Sequence, residues 1–422
     1  MINARAWERA SFWLLAALLV FLPTIEVPKT VAALLFIIVS WLGPSSRKAG
    51  RRPDAFGWAL LGVVGASLVS TAVNWPFPNG AKGLYDTALY AAVGWGVYRR
   101  GWTEGELKRL VAAGVVGVFA GLVRGGFDVF RGREVALELY TMTSPTSSAI
   151  YLGIILTLAV SLVVLDLGRK WWWWAASSVL LVGLFLMGSR GGILAVAIAG
   201  CVWLIMVRPP RIWIPVAAVA TSVALVAALP NIFAQDRAFA KIAALITTGR
   251  MDANDNVRMT MWKLGVAEVV HGDSLWFGVG PKNFSSLDSS RMGRPREAIG
   301  YPIEHAHNLF LNKAVEEGLM GLTAMLALFG VVAHRLAREV IAARARHWRS
   351  GAAWGALAVP IVAGSFNTPW SQEHALLAMI WFGIYLGLSA GDSSHDNGER
   401  SGPKSAEHRV GPRSRVLIDS PT

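Results

Sequence analysis

Hydrophobic blocks of roughly membrane-spanning length recur from residue 11 to residue 390, with one long polar interruption. A helix needs about 20 apolar residues to cross about 30 Å of hydrocarbon, and shorter runs cross by using their interfacial flanks. The blocks cover 11–23, 30–43, 56–73, 84–98, 110–124, 146–166, 171–188, 193–207, 212–229, 319–334, 352–367 and 375–390. They predict an all-α integral membrane protein of about twelve transmembrane helices, with one long helical outer loop before the tenth span. Composition points the same way: 54% of residues are hydrophobic and only 16% charged, against about 45–50% and 25% in soluble domains. Two or three soluble domains, which the length of 422 residues allows, are therefore excluded. The first two blocks are short, so they span only with Trp7, Trp13 and Trp41 in the interface; a re-entrant pair is the alternative.

The net charge of +13 is best read through its distribution. Short connections on one side hold seventeen Lys and Arg, among them Arg47, Lys48, Arg99, Arg100, Arg335 and Arg349; those on the other side hold six. Positive charge stays preferentially in the cytoplasm, so both termini are expected there, and no nucleic-acid partner is implied. Residues 1–229 then hold spans one to nine, 230–318 the outer loop, 319–390 the last three spans and 391–422 a disordered cytoplasmic tail. The N-terminus has no small-residue cleavage site, so 11–23 reads as an uncleaved span. Trp171 to Trp174 follow Arg169 and Lys170 and read as an interfacial belt rather than a sugar-stacking platform. Cys201 is the only cysteine, which excludes an intramolecular disulfide, and it is expected to serve packing.

Trp171 to Val207 is nearly unbroken apolar sequence, and as one helix it would run about 55 Å. It must turn back, and its only polar, glycine-bearing interruption is G-S-R-G-G, Gly188 to Gly192. Arg190 is thus expected at the outer mouth of a tight helical hairpin, where an arginine is either functional or snorkels to lipid phosphates. The outer loop begins with an amphipathic segment, F-A-Q-D-R-A-F-A-K-I-A-A-L-I. Next comes a helix capped by Asp255 or Asn256, with Arg258 in its first turn and Trp262 and Val266 on the same face. A Gly/Pro turn region, a basic loop with Arg291, Arg294 and Arg296, and a further helix after Tyr301 complete it.

His307-Asn308, nine intervening residues and Gly318-Leu-Met-Gly321 fit the pattern H-[NSQ]-x9-G-x-x-G. With the S-R-G-G turn, R-x3-W at Arg258 and Trp262, and G-V-G-P-x-N-F from Gly278, the chain resembles the bacterial O-antigen ligase and polymerase superfamily. The resemblance covers about 146–334 and extends to the first four spans by layout. It implies a transferase that moves a glycan from undecaprenyl pyrophosphate to an acceptor at the periplasmic face of the inner membrane. In the ligases that acceptor is lipid A-core oligosaccharide. It also carries the family's functional arginines and histidine onto Arg190, Arg258 and His307. Polymerases and protein O-oligosaccharyltransferases share much of the motif set.

The residues make chemical sense of that implication. A transferase outside the cytoplasm has no nucleotide at hand, so its donor must arrive activated and lipid-anchored. The leaving diphosphate needs a metal or fixed cations. The outer segments hold no D-x-D pair, and His305 and His307, two apart, are expected on different helical faces, so no metal or other cofactor is expected. Arginine holds phosphate oxygens bidentately and keeps its charge, which assigns Arg190 and Arg258 to the diphosphate. The acceptor hydroxyl needs a base, His307, kept neutral by nearby guanidinium groups, with His305 as competitor. One direct displacement inverts the anomeric carbon. Asn308 is expected to orient His307 or the donor, Gly318 and Gly321 to permit close packing, and Arg291, Arg294 and Arg296 either to meet the phosphorylated core of the acceptor or to form a solvated loop. His374 and Trp370 either line the same cavity or anchor the interface. A transporter of the lipid-linked glycan would share the span count, but no internal repeat is present.

Overall fold

The computed structural model describes residues 4–43, 54–76, 79–134, 137–142, 144–165, 171–207, 253–272, 274–287, 304–342, 347–368 and 373–399. These residues hold twelve α-helices and no strand. They are α1 (Ala4–Phe21), α2 (Glu26–Leu42), α3 (Ala55–Val73), α4 (Gly80–Arg99), α5 (Glu104–Phe130), α6 (Pro145–Leu165), α7 (Trp171–Leu186), α8 (Arg190–Val207), α9 (Ala253–His271), α10 (Leu309–Ile341), α11 (Trp348–Gly364) and α12 (Glu373–Glu399). Eleven of the hydrophobic blocks fall on these helices; the ninth, 212–229, lies outside the described residues, as does the amphipathic segment before α9. Four helices, α3, α5, α6 and α10, are long and apolar enough to cross a membrane, and α7, α8 and α12 contain shorter apolar stretches. Residues 1–388 form one unit and 389–422 a second. α12 runs past Ala390, where the sequence places the start of an unstructured tail.

The bundle has two chemically different ends. At one, the α1–α2, α5–α6 and α11–α12 connections meet: the Thr141 hydroxyl donates to Leu22 O at 2.7 Å, and Lys29 pairs with Glu373 at 2.7 Å. At the other lie the start of α3, the α4–α5 connection and the start of α11. Asp54 before α3 accepts from the Tyr98 hydroxyl, Arg100 pairs with Glu106 at 2.7 Å, and the Trp348 indole donates to Glu104.

Packing follows small residues. α5 buries Gly114, Gly117, Gly121 and Gly125, while Val116, Phe119, Val123, Phe127 and Phe130 on its other side are exposed. A Cβ on Gly117 would stand 2.7 Å from Leu19 O, so only glycine lets α1 approach this closely. α6 is buried almost all round and serves as the central helix. Residues of uniformly apolar helices turn differently from expectation. Trp173 is buried while Trp171 is exposed, so the four-tryptophan run is only partly a surface belt, and Cys201 is exposed rather than packed. Trp13 and Trp41 are exposed on α1 and α2, which are separate, continuous helices.

Candidate functional site

Arg190 is the first residue of α8. The preceding turn uses Gly188 in the left-handed region, φ +63°, and the Ser189 hydroxyl accepts from Gly192 N at 3.2 Å. Ser189 is therefore a helix cap, and the tight reversal expected around G-S-R-G-G is observed. Beside this helix start lies the end of α11: an added Cβ on Gly191 would meet Phe366 Cβ at 3.9 Å. The same α11 end touches α10, because the Asn308 side-chain amide donates to Ser365 O at 3.3 Å. Ser365 and Phe366 thus lie between the start of α8, at Gly191, and the Asn308 side chain at the start of α10. They went unnoticed in the sequence, where the polar run S-F-N-T-P closing the eleventh block is the available signal.

Asn308 has a definite local task. Its carboxamide oxygen accepts from Phe310 N and Leu311 N, each at 3.0 Å, making it the N-cap of α10. With its amide also engaged by Ser365, only one N–H is left for a donor contact. His305 and His307 consequently precede the helix. Their rings are not on divergent helical faces, as expected from i, i+2 spacing, but lie 4.2 Å apart between centroids at 53°. His307 is held at φ +50°, a left-handed conformation uncommon outside glycine. Such strain persists only where surrounding contacts enforce it, and it clusters at working sites. Here Ala306 N donates to Asn312 Oδ1 at 3.0 Å on one side, and the Asn308 cap fixes the other.

Arg258 comes from α9. That helix begins at Ala253, so Asp255 and Asn256 lie inside it and Arg258 is in its second turn, not its first. Met261 and Leu264 form the buried face of α9 with Phe284, Leu287, Ala306 and Val315, while Val266 is exposed. An added Cβ on Gly265 would meet Leu311 at 3.1 Å, which seats α9 against the start of α10. This packing brings Arg258 into electrostatic reach of His307. Burial, then His305, then the Arg258 guanidinium push the His307 imidazole down to about 4. Burial also lowers His305, against the opposing carboxylate of Glu304. Both rings are neutral at neutral pH.

The third support is the turn region after α9. It runs against α10 at Gly318, whose φ of +69° and ψ of −170° divide that helix. Val279 N donates to Val315 O at 2.9 Å, Gly280 N to Glu316 O at 2.8 Å and Leu319 N to Leu275 O at 2.9 Å. A Cβ on Gly318 would stand 2.2 Å from the Trp276 carbonyl carbon, so Gly318 permits close packing of a loop. Asn74, closing α3, donates to Gly278 O at 2.9 Å, and Lys282 pairs with Asp86 of α4.

Arg291, Arg294, Arg296 and Trp370 lie outside the described residues. His374 is fully buried, with neither ring nitrogen hydrogen-bonded, so it neither opens to a cavity nor anchors an interface. Among the described residues no group of three His, Cys, Asp or Glu is placed to hold a metal ion. No curated protein matches the chain. The segment carrying most of α7, α8, α9, the paired histidines and the first half of α10, residues 175–326, matches the family described as O-Antigen ligase.

Proposed function

We propose that this multi-pass membrane protein transfers a glycan from undecaprenyl pyrophosphate to lipid A-core oligosaccharide at the periplasmic face of the bacterial inner membrane, completing lipopolysaccharide. In this reading twelve spans place both termini in the cytoplasm. The basic connections lie at the cytoplasmic end of the bundle, and Arg190, Arg258 and His307 at the other.

The acceptor hydroxyl attacks the anomeric carbon as His307 takes its proton. The bond from that carbon to the pyrophosphate breaks, and undecaprenyl diphosphate departs with the electron pair. Arg190 and Arg258 hold the diphosphate and stabilise its growing charge. One displacement inverts the anomeric centre. An imidazole near 4 is available as a base but weak; efficiency is greatest when the pKa lies near the working pH. A diphosphate seated on Arg258 offsets the guanidinium that helps lower His307. Donor binding therefore strengthens the base it needs, and the strained His307 backbone keeps the ring in place meanwhile.

The observation that carries this reading is the neutral His307 within electrostatic reach of Arg258. The test combines purified protein, undecaprenyl-diphosphate glycan and lipid A-core, without nucleotide or added metal, and seeks the joined product on a gel. Full dependence on added divalent cation sinks the arginine assignment. A polymerase or protein O-oligosaccharyltransferase differs by acceptor, and product with a glycan or protein acceptor instead of lipid A-core would select it.

A further inference from the structure

A second polar site lies at the same end of the bundle and contains none of the three residues above. It is a cavity of about 500 Å³ between α1, α2, α4, the start of α12 and the turn after α9. That volume falls within the range of about 300–1,000 Å³ typical of small-molecule pockets. Its side chains come from the α1–α2, α3–α4, α5–α6, α9–α10 and α11–α12 regions.

The charges are arranged for a ligand that both gives and accepts hydrogen bonds. Lys29 bridges Glu26 at 2.6 Å and Glu373 at 2.7 Å, and Lys282 pairs with Asp86. Acids and ammonium groups are thus matched within the wall, unlike a simple anion site, where positive charge dominates. Lys82 is exposed and has no ion-pair partner among the described residues, leaving one cation for an anionic substituent. Tyr85 stands beside it with 47% of its surface exposed, an aromatic face next to carboxylates and hydroxyls. Lys282 is held at φ +58°, a second strained non-glycine residue, and it sits in the turn that grips α10 at Gly318. The cavity is thereby built on the scaffold that carries His307, at a separate place.

We infer that this cavity is a saccharide subsite, taking a sugar segment that bears a phosphate or carboxylate. The inference rests on the reading of the chain as a glycan transferase. Two sources offer the same chemistry: the phosphorylated core of the acceptor and the repeat unit of the donor. The ion-paired wall offers acceptors and donors to the hydroxyls, Tyr85 offers a stacking face, and Lys82 meets the anionic group.

The test uses the full chain in lipid nanodiscs and two soluble probes: delipidated, phosphorylated core oligosaccharide and the repeat-unit saccharide freed of its lipid diphosphate. Binding is followed by saturation-transfer NMR and calorimetry. One probe binds, which identifies the source, and Lys82→Ala and Tyr85→Ala each weaken it about tenfold. Both variants raise KM for the matching substrate by a similar factor with kcat nearly unchanged, whereas His307→Ala leaves probe binding intact. Equal affinity in wild type and both variants overturns the inference. So does binding of glycerophosphoglycerol, a phospholipid headgroup, with neither saccharide bound. If no transfer is detected but a saccharide still maps to Lys82 and Tyr85, the transferase reading falls and the subsite stands. Transfer with unchanged KM in both variants has the opposite meaning.

Discussion

His305 and His307 lie ring against ring, 4.2 Å between centroids, and His305 helps to lower the proton affinity of His307. For His307 burial is the largest depressing influence, followed by His305 and Arg258. His305→Gln and Arg258→Gln are each expected to raise the His307 pKa from about 4 towards the ordinary 6.5 without reaching it, because burial remains. Histidine carbon-13 NMR titration of the labelled protein reads this directly. An unmoved His307 resonance in Arg258→Gln would separate the two residues and remove the electrostatic link.

The same depression makes stability depend on pH. Between about 4 and 6.5 the unfolded chain protonates His307 and the folded chain does not. The unfolded state then binds more protons, so stability rises with pH across this window and is lost as pH falls through it. His305, also lowered, adds in the same direction. Thermal unfolding in detergent should show a midpoint falling from pH 6.5 to pH 4.5, with a shallower fall in a His305→Gln, His307→Gln double variant. An identical pH slope in that variant would show the histidines are not responsible.

Removing the base or either clamp is expected to stop turnover while the bundle remains intact. His307→Ala should lower kcat by about 10²–10⁴-fold, the usual contribution of general base catalysis. Arg258→Lys should retain charge yet lose most activity, because an ammonium lacks the planar fork that grips two phosphate oxygens. Arg190→Ala is expected to be equally inactive. Single-turnover assays with folded protein, verified by its melting curve, decide each case; near-wild-type turnover by any variant takes that residue out of the mechanism.

Gly318 is a structural requirement that activity alone cannot reveal. Its φ is positive, and a methyl group added there would stand 2.2 Å from the Trp276 carbonyl and 2.5 Å from Phe277 N, all backbone atoms. Gly318→Ala should destabilise by about 3 kcal/mol or more and sharply reduce folded yield. Gly330→Ala, on the same helix with nothing within 4 Å of its added Cβ, should be neutral or slightly stabilising. Equal yields for the two would mean that the turn after α9 does not grip α10 as described.

Span positions were legible because apolar runs end where caps begin: the 146–166 block corresponds to α6 at Pro145–Leu165, and Asp54 caps α3. The hairpin at Arg190 follows from the length of the apolar run, which requires a reversal, and from G-S-R-G-G, the polar interruption that places it. Other features had no one-dimensional signature. The start of α9 was placed late because Asp and Asn suit both a cap and a first turn. The histidine pairing was missed because Asn308, not an earlier residue, caps α10, which leaves both rings outside the helix. Which way Trp173 or Cys201 turns is not encoded by period when a whole helix is apolar. The cavity was invisible for another reason: Lys29, Lys82, Asp86, Lys282 and Glu373 each look like an isolated loop charge until five connections are brought together.

The last prediction concerns the ion pair that ties α2 to α12. Lys29 and Glu373 retain only 11% and 14% of their side-chain exposure, so the carboxylate depends on the ammonium for compensation. Lys29→Met leaves Glu373 beside Glu26 with no cation between them. The cost should fall near the lower end of the ~3–5 kcal/mol seen when one partner of a buried pair is removed, because this pair borders a polar cavity. Adding Glu373→Gln removes the stranded charge and should restore much of the loss, giving a coupling of about 1–3 kcal/mol between two contacting residues. Glu26→Gln alone should change little, since its side chain is 63% exposed and already solvated. Thermal melts of the single and double variants close the cycle. Strict additivity of Lys29→Met and Glu373→Gln would mean that the pair does not hold these two helix ends together.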